Sequence, residues 1–105
     1  MANDIKYTQL ELRFLSIFLN NQHKTFYASE IGEILGVSYG SVVPLLMRFE
    51  KAKWLEFDWE DIDPKIEGRP KRKLFKLSDI GMTKAKQAIR SEIEFLQGKR
   101  IGVFQ

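Results

Sequence analysis

The segment "GRPKRK", residues 68–73, holds the side chains of this sequence that are best suited to binding phosphate. Arg69 and Arg72 carry planar guanidinium groups and Lys71 carries an ammonium group, and both types form charge-assisted hydrogen bonds with phosphate oxygens. Across residues 65–76 six cations face a single acid, a local charge of 6 − 1 = +5, whereas the whole chain carries +3. The other residues therefore sum to 3 − 5 = −2. This confinement of positive charge to one segment predicts a polyanionic partner.

A second group of polar and small residues, "SYGS", precedes an apolar period typical of a helix. Ser38 is a good N-cap, and the hydroxyls of Tyr39 and Ser41 can donate to phosphate or to base edges. Gly40 and Pro44 would let the start of this helix approach a partner closely, and the helix dipole would attract an anion. Alternatively, Pro44 is a tolerated kink on a solvent-exposed face. The side of the helix predicted to face outward consists of Gly40, Ser41, Pro44, Met47, Arg48 and Lys51.

Catalytic and metal chemistry is poorly supported by the composition. The chain has no cysteine and one histidine, His23, so it offers no disulfide, no thiolate metal site and no nucleophile–base pair. No glycine-rich phosphate loop follows a strand. The N-terminus lacks the basic start of a signal peptide, and no apolar run is long enough to span a membrane. We therefore expect a cytoplasmic protein that is not an enzyme and has no cofactor or metal.

The first helix is predicted to run from about Thr8 to Asn20, because Thr8 and Glu11 have the spacing of a capping box. Its apolar residues form two groups. One group packs on the chain's own core, and the second is expected to contact a second copy. The alternative is that the chain's own C-terminal helix covers it. The second group consists of Leu12, Leu15 and Leu19.

Two further helices joined by a tight turn are predicted from Ala28 to Leu35 and from Ser38 onward. Gly36 is expected to end the first of them in a left-handed conformation. In the following helix, residues at i, i+3, i+4 and i+7 mark the buried side. These residues are Val42, Leu45, Leu46 and Phe49.

A β-hairpin and a last helix complete the chain. The stretch "WLEFDWED" alternates Leu55, Phe57 and Trp59 with acids, and "RKLFKLS" supplies the strand that pairs with it. The connection between them is predicted to be an exposed, mobile loop in which only Glu67 opposes the cations. Ser78 caps a helix that extends to about Gln97. Its apolar stripe, expected to be core or a dimer contact, consists of Met82, Ala85, Ile89, Ile93 and Leu96.

The order of these elements predicts an α+β, mainly α fold: a winged helix-turn-helix with a three-helix core, a two-stranded β-wing and a C-terminal dimerisation helix. A chain of 105 residues forms one compact unit. Within it, we expect residues 1–77 to form the DNA-binding part with the N-terminal helix, and residues 78–105 to form the dimerisation helix and a tail.

Two longer stretches resemble the PadR family of transcriptional regulators. "SYGSVVPLLMRFEKAKWLE" and then "GRPKRKLFKLSDIG" are similar to the family pattern of Ser, Gly, Thr and a later Pro, followed by "LxxLExxGLIE" and "GRPRRxYxLTxxG". The similarity spans roughly residues 27–82. Several positions match the family pattern together, and this joint match is what makes the similarity specific. The positions are Ser38, Gly40, Pro44, Leu45, Gly68, Arg69, Pro70 and Gly81.

The resemblance implies a homodimer that places its third helix in the major groove and its wing against the neighbouring backbone of double-stranded DNA. Ser38, Gly40, Ser41 and Pro44 correspond to the recognition-helix motif, and Arg69, Lys71 and Arg72 correspond to the basic wing. Tyr39 stands where the family often has proline and Val43 where it often has tyrosine, so base preference does not transfer. Some short members of the family hold flat apolar effectors at the dimer centre, which makes such an effector a candidate partner.

Two functions follow as hypotheses. The first is a sequence-specific DNA-binding regulator of transcription, a dimeric repressor relieved by a small apolar effector. The second is a winged-helix module for protein–protein interaction without specific DNA binding, favoured by the acidic row on the first strand and by the apolar Val43 and Met47 on the outer side of the third helix.

Overall fold

The computed structural model describes residues 7–98, which form helices and one antiparallel hairpin in the order expected for a winged helix-turn-helix. The α+β, mainly α prediction is therefore confirmed. Residues 1–6 and 99–105, which the predicted N-terminal part and tail include, lie outside the described residues. The elements are α1 (Gln9–Leu19), α2 (Ala28–Leu35), α3 (Tyr39–Lys51), β1 (Leu55–Trp59), α4 (Pro64–Glu67), β2 (Lys73–Leu77) and α5 (Asp79–Leu96).

The start of α1 has the predicted capping box. The Glu11 amide donates to Thr8 Oγ1 at 3.0 Å, and the Thr8 amide donates to Glu11 Oε1 at 2.8 Å. These two bonds satisfy amides that a helix start otherwise leaves unpaired. The first helix therefore begins where the sequence predicts.

The turn between α2 and α3 also follows its local signals. Gly36 adopts φ 70° and ends α2, a conformation that costs glycine little because it has no Cβ. Ser38 occupies the N-cap position of α3, but its hydroxyl does not bond to the helix amides and lies 3.2 Å from Ser41 Oγ. The four residues predicted to line the inner side of α3 are buried.

Both apolar groups of α1 contribute buried residues, because α5 packs against this helix in addition to the rest of the core. Phe14 and Leu15 have no exposed surface, and neither has Ala85 of α5. Leu15 and Ala85 are therefore core residues, which is the alternative that the sequence left open for each, and the prediction that they contact a second copy is wrong. Leu12, Leu19, Met82 and Ile89 are partly buried.

In the hairpin, β1 pairs with β2 so that Leu55 lies opposite Leu77 and Phe57 opposite Phe75. Phe26 forms a bridge to the other side of β2. Trp59, predicted to be a core residue, is instead 56% exposed. Its register partner is Lys73, so the apolar contact that would bury it is missing.

The connection between the strands is more regular than predicted, because it contains the short helix α4. Asp63 Oδ1 accepts the Lys65 amide at 2.9 Å at the start of this turn, and Gly68 at φ 72° ends it. Asp, Pro and Gly in this order are helix start and stop signals, so the sequence already contains the signals for a short helical turn here.

Among residues 7–98 no single helix combines the length and the hydropathy of a membrane span, and only α2 and α3 taken together, bent by 117°, reach them.

Candidate nucleic-acid interface

The outward side of α3 is free of contacts from its own chain. Tyr39 is 63% exposed and Met47 is 65% exposed. A Cβ placed on Gly40 would meet no atom nearer than Ser38 Oγ at 3.8 Å. The predicted outward residues Ser41, Pro44, Arg48 and Lys51 are exposed as well. Nothing within the described chain requires glycine at position 40, which leaves room for a close external partner.

The first turn of α3 combines free amides with hydroxyl groups. The amides of Ser41 and Val42 donate to the Ser38 carbonyl at 3.0 and 3.3 Å. Within residues 7–98, the amides of Tyr39 and Gly40 have no hydrogen-bond partner. They stand at the positive end of the helix dipole beside the Ser38 and Ser41 hydroxyls, an arrangement that can bind an anionic oxygen.

Pro44 lies inside α3, and the helix continues through it to Lys51. Because proline has no amide hydrogen, the usual bond from position 44 back to the Gly40 carbonyl is absent. The cost of this loss is about 3 kcal/mol in an ordinary helix interior.

Arg48 is held by an ion pair that the sequence did not reveal. Its Nη1 donates to Oε2 of Glu11, the buried acid of the α1 capping box. Its guanidinium also lies 5.2 Å from the ring centroid of Phe49. The pair connects the start of α1 to the outward side of α3, 37 residues later. The predicted contact of Arg48 with DNA remains a prediction, and in the free chain this arginine orients α3.

Arg69 is paired as well, contrary to the prediction that only Glu67 opposes the wing cations. Its Nη1 and Nη2 donate to Glu60 Oε1 and Oε2 at 2.7 and 2.9 Å. These bonds hold the pKa of the Glu60 carboxyl below its usual value and raise the pKa of Arg69. The Arg72 amide adds a bond to Glu60 Oε1 at 3.3 Å. Glu60 therefore fastens the two sides of the wing together.

Ion pairs also occupy two other wing cations. Lys73 Nζ lies 3.8 Å from Glu50 on α3, and Lys76 Nζ lies 3.7 Å from Glu56 on β1. Glu56 and Lys76 are register partners in the hairpin, so the latter is a cross-strand pair of opposite charges. Among the described residues, the wing cations outside any ion pair are Lys65, Lys71 and Arg72.

The wing and the two helices of the helix-turn-helix lie beside each other. The Lys73–Glu50 pair links β2 to the C-terminal half of α3. The Arg72 guanidinium lies 4.7 Å from the ring centroid of Tyr27, the N-cap of α2. The residues predicted to bind phosphate thus lie on neighbouring elements, the wing and the helix-turn-helix. Two of them, Arg69 and Arg48, already have carboxylate partners.

The second half of α5 carries apolar side chains that the described chain does not cover. Ile93 is 47% exposed and Leu96 is 72% exposed. Phe95, absent from the predicted stripe, is 50% exposed. An exposed apolar patch of this kind is typical of an interaction surface.

Comparisons with known structures find the same winged-helix architecture in several proteins. The structure is similar to MepR, described as a transcription regulator of the Staphylococcus aureus multidrug efflux pump MepA, with a TM-score of 0.68, 20% identity, and coverage of 90% of this chain and 63% of MepR. It is also similar to a transcriptional regulator homologue from Pyrococcus horikoshii OT3, with a TM-score of 0.68, 17% identity, and coverage of 88% and 84%. For Escherichia coli MarR in its apo form the TM-score is 0.64 at 21% identity, with coverage of 83% and 57%.

At these identities the similarity establishes the fold. The chain spans about three fifths of the length of MepR and of Lactococcus lactis ZitR. No protein-family model and no curated protein matches the sequence.

Proposed function

We propose that this chain is a sequence-specific DNA-binding regulator of transcription of the PadR type, and that it acts as a homodimeric repressor. The observation that carries this proposal is the first turn of α3, where Tyr39 and Gly40 have free amides on a surface that no other part of the described chain covers. A helix start of this kind, on the second helix of a helix-turn-helix, is suited to a phosphate at the edge of the major groove.

In this proposal α3 supplies the selection between sequences. Ser38, Tyr39 and Ser41 offer hydroxyls that can donate to phosphate oxygens or accept from base edges. Gly40 and Pro44 lack bulky polar side chains, so the backbone can lie close to the duplex. Arg48 would reach the DNA backbone only by sharing its guanidinium between Glu11 and a phosphate.

The wing supplies affinity that does not depend on sequence. Lys65, Lys71 and Arg72 have no ion-pair partner among the described residues, and they would neutralise phosphates and release counterions. Arg69 is fixed by Glu60, so it would bind a phosphate through donors that Glu60 leaves unused, since guanidinium has five.

Two copies are proposed to associate through the exposed half of α5. The participating residues would be Ile93, Phe95 and Leu96, together with the partly buried Leu12, Leu19, Met82 and Ile89 of the predicted set. Two copies would read the two halves of a roughly symmetric site. Relief of repression by a flat apolar molecule between the copies is also proposed, and it rests on the resemblance to short PadR proteins alone.

A salt series in a gel-shift assay tests the wing. Replacing Lys65 and Lys71 together by alanine should reduce the slope of log K against log salt by about 0.9 per lost phosphate contact. The matched control replaces Lys84 and Lys86, two exposed lysines of α5, by alanine, which changes net charge equally. An unchanged slope in the wing variant, or an equal change in the control, would reject the assigned role.

Selection of bound fragments from random duplex DNA tests sequence specificity. A two-fold symmetric motif with half-sites about one helical turn apart is expected. The absence of any enriched motif, together with no binding at low salt, would favour the protein-interaction module. Placing the recovered motif before a reporter promoter then distinguishes a repressor, which lowers expression, from an activator, which raises it.

A further inference from the structure

The sheet of the wing has one closed edge and one open edge. On the closed side, the Phe26 amide donates to the Phe75 carbonyl at 3.0 Å and the Phe75 amide donates to the Phe26 carbonyl at 2.8 Å. Because both the amide and the carbonyl of Phe75 are bonded to Phe26, Phe75 forms a non-hydrogen-bonded pair with Phe57, its register partner in β1. The amide and carbonyl of Phe57 therefore point away from β2.

The backbone hydrogen bonds at the two ends of the hairpin also involve even-numbered residues on the β1 side. Ser78 donates its amide to the Trp54 carbonyl at 2.8 Å, and Glu60 donates its amide to the Arg72 carbonyl at 2.8 Å. Hydrogen-bonded pairs alternate along an antiparallel ladder, so even-numbered residues of β1 bond to β2. Within residues 7–98, no other segment bonds to the outward backbone groups of the odd-numbered residues. These are Leu55, Phe57 and Trp59.

This open edge runs along a surface groove of about 740 Å³ between the end of α3, β1 and the first turn of α5. Glu50, Glu56 and Asp79 contribute carboxylates to the groove, and Lys53 contributes its single ammonium group. Ile80, which is 57% exposed, adds apolar surface. Glu50 and Glu56 also pair with Lys73 and Lys76, so within residues 7–98 Asp79 is the groove carboxylate outside any ion pair. The groove thus combines an apolar floor and an unpaired acid with unpaired strand amides and carbonyls.

We propose that this groove binds an extended segment of a partner protein, which adds to β1 as a third strand and alternates apolar with basic side chains. On the face that Phe57 shares with Trp59, apolar side chains of the incoming strand would cover exposed aromatic surface. On the opposite face, side chains of the incoming strand would lie beside Asp58 and beside Glu56, whose present partner is Lys76, and lysine or arginine would complement these acids. Asp58 lies opposite Leu74 and has no ion-pair partner in the described chain.

A second copy of the same strand fits this edge poorly. Pairing β1 with β1 would bring Glu56 and Asp58 near the same carboxylates of the other copy, and like charges across neighbouring strands are destabilising. Acidic side chains on an edge strand suppress self-association in this way. The same charges leave the edge available to a basic strand. The groove shares no residue with the proposed DNA contacts, so DNA binding and peptide binding can be measured separately.

The probe is a synthetic hexapeptide that alternates valine and arginine, compared with one that alternates valine and glutamate. Amide hydrogen exchange of the full chain is followed by NMR with each peptide. With the arginine peptide, the amides of Leu55, Phe57 and Trp59 should become protected, whereas those of Glu56 and Asp58 are already protected by β2. Equal effects of both peptides, or protection confined to other surfaces, would overturn the proposal.

Three variants test the backbone bonds and the charge. Trp59→Pro removes an outward amide without removing a bond to β2, and Trp59→Ala removes the same ring but keeps the amide. Trp59→Pro should bind the arginine peptide about fivefold more weakly than Trp59→Ala, the worth of one hydrogen bond. Asp58 is exposed and has no ion pair among the described residues, so Asp58→Lys should weaken binding of the arginine peptide and strengthen binding of the glutamate peptide. If the unmodified protein binds DNA but neither peptide, or if Trp59→Pro and Trp59→Ala bind the arginine peptide equally well, the docking site is refuted while the regulator proposal stands.

Discussion

Gly81 in the first turn of α5 lies directly against the backbone of Trp54, so closely that a Cβ on Gly81 would overlap the Trp54 carbonyl group. The contact belongs to a compact junction. The Ser78 hydroxyl donates to the Lys53 carbonyl at 2.6 Å, and it accepts the Gly81 amide at 3.0 Å. The end of α3, the start of β1 and the start of α5 are thereby fixed relative to one another, and with them the position of the wing beside α3.

Replacing Gly81 by alanine should lower the free energy of unfolding by about 1–3 kcal/mol, the usual cost of forcing extra volume into a packed site. Alanine is favoured over glycine in helices by about 1 kcal/mol, so a loss of stability would isolate the clash with Trp54. Chemical denaturation measures the effect. Thr83→Ala, exposed on the same helix, serves as the control and should change stability by less than about 0.5 kcal/mol. A stabilised Gly81→Ala protein would contradict the close approach.

At Gly40 the same substitution should have the opposite effect on stability. A Cβ there meets open space, so Gly40→Ala should stabilise α3 by about 0.5–1 kcal/mol. If the helix start lies against DNA, the added methyl group should weaken binding about tenfold, through a steric cost of about 1–3 kcal/mol. Denaturation and gel shift on one preparation separate the two effects. Gln87→Ala on α5 should leave DNA affinity unchanged, and equal affinity of the Gly40→Ala protein would remove Gly40 from the interface.

Lys53 has φ 70°, in the left-handed region of backbone conformation that residues other than glycine and asparagine rarely adopt. The PadR pattern has glycine at this position. Lys53→Gly should therefore raise the free energy of unfolding by up to about 1 kcal/mol, because the strain of about 1–2 kcal/mol exceeds the extra chain entropy of glycine. Ala52→Gly, where φ is −79°, should instead destabilise the protein. If both glycine variants lose stability, the left-handed strain at Lys53 is small.

The parts of the fold that the sequence predicted well depend on neighbours close along the chain. The Thr8–Glu11 capping box, the glycine that ends α2 and the buried side of α3 involve residues within about two helical turns. The pairs that modify the site, Glu60 with Arg69 and Glu11 with Arg48, join residues 9 and 37 positions apart, and only the folded chain brings them together. For the same reason the sequence left open whether Leu15 and Ala85 belong to the core or to a contact with a second copy, since the answer depends on α5 packing against α1.

The exposed half of α5 should control association. Ile93→Asp places a charge where an apolar contact is proposed, and the cost of burying it should raise the dimer dissociation constant at least about tenfold. Because Ile93 is 47% exposed in the single chain, the stability of the monomer should change little. Sedimentation velocity over a range of concentrations measures the dissociation constant. Gln87→Asp, an equal charge on an exposed position of α5, should leave it unaltered, and an unaltered Ile93→Asp protein would place the dimer contact elsewhere.

Glu60 should limit the strength with which the wing binds DNA. Glu60→Gln removes the charge that neutralises Arg69, so the phosphate contact of Arg69 would then release a counterion and steepen the salt slope by about 0.9. The control is Glu67→Gln, which removes the same charge from an exposed wing residue that has no ion pair among the described residues. A slope that steepens equally in both variants would show a general charge effect and no release of Arg69.

The same carboxylate predicts a pH dependence of folding. Hydrogen bonds from Arg69 hold the folded-state pKa of Glu60 below the ordinary value of 4.5. Stability from this pair is therefore fully present above about pH 4.5 and is lost as pH falls through the lower folded pKa, because protonation then removes the acceptor charge. Glu60→Gln has no such group, so between about pH 5 and pH 3 its thermal midpoint should fall less steeply than that of the unmodified protein. Glu67→Gln should retain the steeper fall, and parallel pH profiles for all three proteins would show that the Glu60–Arg69 pair contributes nothing to stability.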